Sequence, residues 1–145
     1  LTTAIINTFD TIIVEDLNVA GMKKLFGKSV SDAAFGEILR QLEYKSNWYG
    51  RTFHKIDRWY PSSKTCNCCA YKMDTMTLDI REWDCPNCNT HHDRDLNAAK
   101  NILDQGLRDL YGFTSDELAD YRRGEEVRHA SSGAFLDEAF RLSCL

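Results

Sequence analysis

The sequence predicts an α/β fold, and three stretches carry that prediction. Residues 11 to 14, TIIV, are a short β-branched apolar run that suits a strand buried on both faces. Phe35, Ile38, Leu39 and Leu42 then recur at spacings of three and four, which marks the apolar stripe of a helix covering a sheet. WYGRTFHKI follows at 48 to 56 and alternates, with Tyr49, Arg51, Phe53 and Lys55 on one side and Trp48, Thr52, His54 and Ile56 on the other. A strand, a helix and a strand in that order are a β-α-β unit.

LTTAIINTFD at the start reads as the end of a helix running into the first strand, as though the chain begins within a domain. Polar EDLN follows TIIV, so Glu15 falls at or just past a strand end. NVAGMKKLFGKSV is a loop with two glycines, and Ser31 is the expected N-cap of a helix through about Ser46. A cysteine-rich insert runs from Cys66 to Cys88. Beyond it Leu96, Ala99, Ile102 and Leu103 give one face of a helix expected to pack back on the sheet. SDELADYRR and GAFLDEAFRL are helix-like pieces of the tail, and neither carries a functional signature.

Composition excludes several classes. The chain of 145 residues is 43% hydrophobic and 28% charged, ordinary for a globular protein, and no apolar run reaches the roughly 20 residues that span a bilayer. No basic-then-apolar leader opens the sequence, so the cysteines are expected in a reducing, cytoplasmic setting, where metal ligation is commoner than disulfides. The net charge of −4 sits entirely beyond residue 103, because the first 103 residues are balanced. Residues 23 to 64 are locally +5, with Lys23, Lys24, Arg51, Arg58 and Lys64 among the cations and Trp48, Tyr49, Trp59 and Tyr60 interleaved. Such a stretch suits a nucleic-acid surface, though a solvated helix face with core aromatics would look the same.

Cys66 and Cys69, and Cys85 and Cys88, are two pairs with two residues between partners, the spacing of a two-knuckle zinc ribbon. The segment MDTMTLDIREWD between them is expected to form a β-hairpin with little core, so that metal would fold it. Cys68 competes within the first knuckle, but no pairing through it keeps the two-residue gap. Ala70 stands where a glycine would ease a left-handed turn. Cys144 is expected to be a spare thiol. Four thiolates would close a zinc, so any chemistry falls to carboxylates.

Glu15 at a strand end and Asp95 ahead of a helix on the same sheet are the candidates. Magnesium takes hard oxygen ligands from several elements, and such sites hydrolyse phosphodiesters. A structural reading stands beside this one: Asp95 could simply cap its helix, and Asp93 and Asp16 could be solvated loop residues.

VEDLNVAGM at 14 to 22, YPSSKTC at 60 to 66, REWDCPNC at 81 to 88 and HDRDLNAAKNIL at 92 to 103 together resemble the C-terminal half of TnpB. That family comprises transposon-encoded RNA-guided DNA endonucleases related to type V CRISPR effectors. The resemblance implies an RNase H-like (RuvC) partial domain with an inserted zinc ribbon. It also implies catalytic magnesium on Glu15 and Asp95, Arg94 beside the scissile phosphate, and structural zinc on Cys66, Cys69, Cys85 and Cys88. Guide RNA, target DNA and the missing N-terminal half, or a full-length copy, would be its partners. The expected divisions are a RuvC-like part at 1–62, the ribbon at 63–90, a RuvC-like helix at 91–106 and an acidic tail at 107–145. The family's first catalytic aspartate would lie upstream, leaving this chain inactive alone. A non-catalytic fragment that binds nucleic acid or a partner is the alternative.

Overall fold

The computed structural model describes residues 1–17, 34–77, 79–123 and 142–144. Lys23, Lys24 and Ser31 lie outside the described residues, as does most of GAFLDEAFRL. Helix α1 (Thr2–Thr8) leads into β1 (Thr11–Glu15), as LTTAIINTFD suggested. Helix α2 (Phe35–Tyr49) and β2 (Thr52–Ile56) complete the β-α-β unit, with β2 parallel to β1 from Thr11↔Thr52 to Glu15↔Ile56.

The predicted strand at 48–56 starts too early. Trp48 and Tyr49 end α2, because Gly50 at φ 64° takes the left-handed closing position and Arg51 N–H returns to Ser46 O at 2.8 Å. Alternation over four of its residues imitated a strand that begins only after the glycine.

Strand β1 has helices on both faces, which is why its apolar run is unbroken. Ile12 and Val14 join Ile5, Ile6 and Leu42 on the side of α1 and α2. Ile13 faces the other way, with Ile56, Ile102, Leu107, Phe113 and Leu118. These last come mainly from α3 (Arg94–Tyr111) and α4 (Ser115–Arg123). Helix α3 lies so close that a Cβ on Gly106 would sit 2.4 Å from Ile13 Cγ2, so this glycine sets the distance between layers.

Two divisions expected from sequence change. Helix α3 runs through residue 106 to Tyr111, and α4 buries Leu118 in the core, so the tail is partly structural. Strand β5 (Leu142–Cys144) pairs parallel to β1 at Thr11–Ile13, making the sheet order β2-β1-β5 and placing Cys144 in a strand. The ribbon's sheet is also different. Strands β3 (Glu82–Asp84) and β4 (His91–Asp93) pair antiparallel across the second knuckle, and the inter-knuckle segment makes no hairpin among its described residues.

Candidate metal centre and carboxylate site

Both knuckles are built by one turn. In the first, Ala70 N–H reaches Cys66 O and Cys66 N–H reaches Tyr71 O, each at 2.8 Å. In the second, Asn89 N–H reaches Cys85 O at 2.8 Å and Cys85 N–H reaches Thr90 O at 3.0 Å. The residue after the second cysteine is left-handed in each, Ala70 at φ 60° and Asn89 at φ 56°. Asparagine tolerates that conformation better than alanine does, so the first knuckle carries the strain.

These turns gather Cys66, Cys69, Cys85 and Cys88, whose sulfurs all lie within 4.8 Å of one another. Sγ–Sγ distances are 3.7 Å for Cys66–Cys88 and 3.6 Å for Cys69–Cys85. A tetrahedral metal with sulfur bonds of about 2.3 Å requires edges of about 3.8 Å, so the donor set fits a four-thiolate centre. Burial pushes the Cys66 thiol up to about 12, while the Thr90 hydroxyl and backbone bring Cys88 down to about 6. A cation among them would hold all four as thiolates. Cys68 is exposed and outside the set.

Sequence spacing did not reveal His92, whose Nε2 lies 3.0 Å from Cys66 Sγ and whose ring packs on Trp83 at 4.7 Å. It also missed a polar stripe on α3. Asn97, Asn101 and Asp104, at spacings of four and three, are all buried. Asn67, inside the first knuckle, makes three hydrogen bonds to them: its N–H donates to Asn97 Oδ1 at 3.0 Å, and its Nδ2 donates to Asn101 Oδ1 and Asp104 Oδ2. Asn97 and Asn101 in turn donate to Thr65 O, and Asn101 also to Ser62 O at 2.7 Å. The knuckle is thereby fastened to the helix that carries Asp95. Leu96, expected on the buried face, is 63% exposed because this side of the first turn meets neither layer.

Asp93, not Asp95, caps α3: its carboxylate accepts the N–H groups of Asp95 and Leu96 at 2.9 Å each. Asp95 is left exposed, 3.8 Å from Arg81 Nη1 and 3.6 Å from Arg94 Nε. Glu15 is half-buried at the carboxyl end of β1. Its carboxyl is pushed above the ordinary value by burial, against a lowering hydrogen bond from Ser62.

The contact of Thr11 Oγ1 with Tyr111 Oη and of Ile13 with Gly106 makes α3 antiparallel to β1. Glu15 and the start of α3 therefore share one end of the layers. Counting rise per residue from Ile13 and Gly106, Asp95 projects roughly 10 Å beyond the level of Glu15. Among the described residues no third acidic group joins either of them in a potential ligand set.

The described cations of the predicted basic surface, Arg51, Arg58 and Lys64, lie apart from one another. Arg51 pairs with Asp10 at the amino end of β2, Arg58 pairs with Asp16 past its carboxyl end, and Lys64 Nζ lies 3.5 Å from Asp74 O in the ribbon. Of the described cations proposed from sequence, Arg58 lines a cleft with Glu15.

Because the folded chain favours the neutral form of Glu15, stability from this group is present below its unfolded value and lost as pH rises through the folded one. Glu15→Gln should therefore raise the melting temperature at pH 7 without added magnesium, and leave it nearly unchanged at pH 4. Calorimetry at both pH values checks this.

Comparison with known proteins gives a consistent class. The family model described as Cas12f1-like, TNB domain matches residues 35–102. A protein of Streptomyces pristinaespiralis, named as a proposed RNA-guided DNA endonuclease, is 45% identical over 109 residues, 74% of this chain and 27% of the relative. One of Mycobacterium tuberculosis with the same kind of name is 40% identical over 110 residues, 70% of this chain and 24% of the relative. A TnpB-like protein of Acanthamoeba polyphaga mimivirus is 31% identical over 115 residues, 74% of this chain and 22% of the relative. The chain belongs to the TnpB family. It spans about a quarter of the length of the curated relatives it matches.

Proposed function

We propose that this chain is the C-terminal nuclease portion, RNase H-like of the RuvC type, of an RNA-guided DNA endonuclease, with a structural zinc ribbon inserted into it. The observation that carries the reading is the placement of Glu15 and the first turn of α3 at one end of the layers, where β1 and β2 both end. Parallel sheets bind ligands beyond the carboxyl ends of their strands.

Cys66, Cys69, Cys85 and Cys88 would hold the zinc, and Glu15 and Asp95 would supply hard oxygen donors to magnesium. Those donors fit magnesium in kind and fall short in number, so the remainder of a longer protein would supply the aspartate that completes the set. Magnesium bound there would activate water and stabilise charge on the phosphodiester. Ser62 orients the Glu15 carboxylate, and the Asp93 cap frees Asp95 from the helix terminus. Arg94 stands beside Asp95, placed to meet a phosphate, and the Asn67 contacts fix the helix that presents both. Guide RNA, target DNA and the remainder of the protein, or a full-length copy, would be the partners, in the cytoplasm of a prokaryotic cell. No described helix is long and apolar enough to cross a membrane.

The offset of Asp95 and its pairing with Arg81 and Arg94 favour a second reading, a fragment that binds nucleic acid or a partner without cutting. Plasmid nicking tests the first reading. The purified chain should show none with magnesium, and Mg-dependent nicking by the chain alone that vanishes in Glu15→Ala would overturn the need for a further acidic ligand.

A further inference from the structure

Trp59 is 84% exposed, yet its backbone is pinned. Its N–H donates to Asp57 Oδ1 at 2.7 Å, Tyr60 N–H donates to Asp57 O at 3.1 Å, and Ser62 N–H donates to Tyr60 O at 2.8 Å. Tyr60 packs against the core formed by Ile13 and Ile56, which anchors the turn. Trp59 borders both clefts at the carboxyl ends of β1 and β2. One is about 450 Å³, lined by Asp16, Lys55, Ile56, Asp57 and Arg58 besides Trp59. The other, about 180 Å³, reaches Glu15 and Leu17.

We propose that Trp59 is a stacking platform for a base of single-stranded DNA led toward Glu15, with Arg58 exchanging Asp16 for the adjoining phosphate. This rests on the nuclease reading above and names Trp59 and Arg58 as residues that position its substrate. An indole this exposed leaves a large apolar face in water, and a nucleobase is the ligand of a DNA-processing cleft that can cover it. In a duplex both faces of a base are already stacked, so a single strand is the form that fits. The acidic neighbours Glu15, Asp16 and Asp57 oppose a purely electrostatic grip, which assigns the affinity to stacking. Arg58 alone would give a shallow salt dependence, with a slope of about −0.7.

The test is fluorescence anisotropy of a short fluorescein-labelled oligodeoxythymidylate with the full zinc-loaded chain, without magnesium. Trp59→Ala should weaken binding about tenfold or more. Trp59→Phe should keep most of the affinity, and a duplex of equal length should bind more weakly. Trp48→Ala is the control, since Trp48 is 76% exposed on α2, borders neither cleft and contacts Tyr44. Unchanged binding in Trp59→Ala, an equal loss in Trp48→Ala, or equally tight duplex binding would overturn the proposal. The readout needs no hydrolysis, so Trp59-dependent binding with no cutting after complementation would sink the nuclease reading alone.

Discussion

Cys85→Ser is expected to abolish zinc binding and unfold the ribbon, the largest effect of any single substitution here. The buried core of that module is Cys66, Trp83 and Cys85, so two of its three members are thiolate candidates. With so little apolar surface, the ribbon would depend on the proposed metal, and structural zinc supplies roughly 10–16 kcal/mol in apparent terms. Removing one ligand opens the tetrahedron and leaves buried Cys66 beside an incomplete site. Metal analysis should fall from a single zinc per chain to near none, and the signal of Trp83 should lose its folded environment. Cys68→Ser should differ from the parent by no more than about 0.5 kcal/mol, because Cys68 is exposed and outside the cluster. Equal zinc loss in both variants would mean that the ligand assignment is wrong.

Asn101→Ala should destabilise the chain by about 3 kcal/mol, a drop of roughly 10 °C in melting temperature. Asn101 is buried, donates to Ser62 O at 2.7 Å and Thr65 O at 2.6 Å, and accepts from Asn67 at 3.1 Å. Alanine removes all three contacts and leaves polar partners in a space that water fills poorly. Hydrogen exchange should show faster opening of the first knuckle together with the start of α3, since Asn101 on the helix bonds Asn67 and Thr65 of the knuckle. A loss below about 1 kcal/mol, or opening confined to one side, would show that the knuckle and helix are not coupled through this network.

What the sequence made legible was local. TIIV announced a strand covered on both faces because only side chains of that kind survive there, and the cysteine spacing located all four gathered sulfurs. Ala70 was recognisable as a left-handed position from its place after the knuckle. What stayed hidden depends on distant partners. Strand β5 is three residues that become a strand only against Thr11–Ile13. Asn97, Asn101 and Asp104 look like a solvated helix face until the first knuckle is laid over them. The sequence offered Asp95 as the cap and Asp93 as a loop residue, and the structure reverses the two, because the helix starts at Arg94 and its N-cap is Asp93. The signal available was Asp93 standing two residues before Asp95, the spacing at which an N-cap side chain meets the second helical amide.

The most direct measurement is plasmid cleavage after complementation. The zinc-loaded chain would be combined with the separately expressed remainder of a TnpB-family relative, its guide RNA and magnesium, and cleavage scored at the guided site. Cutting that requires every component and disappears with Glu15→Ala is the expected result. Guided cutting that persists in Glu15→Ala would contradict the assignment of this chain as the nuclease portion that supplies Glu15.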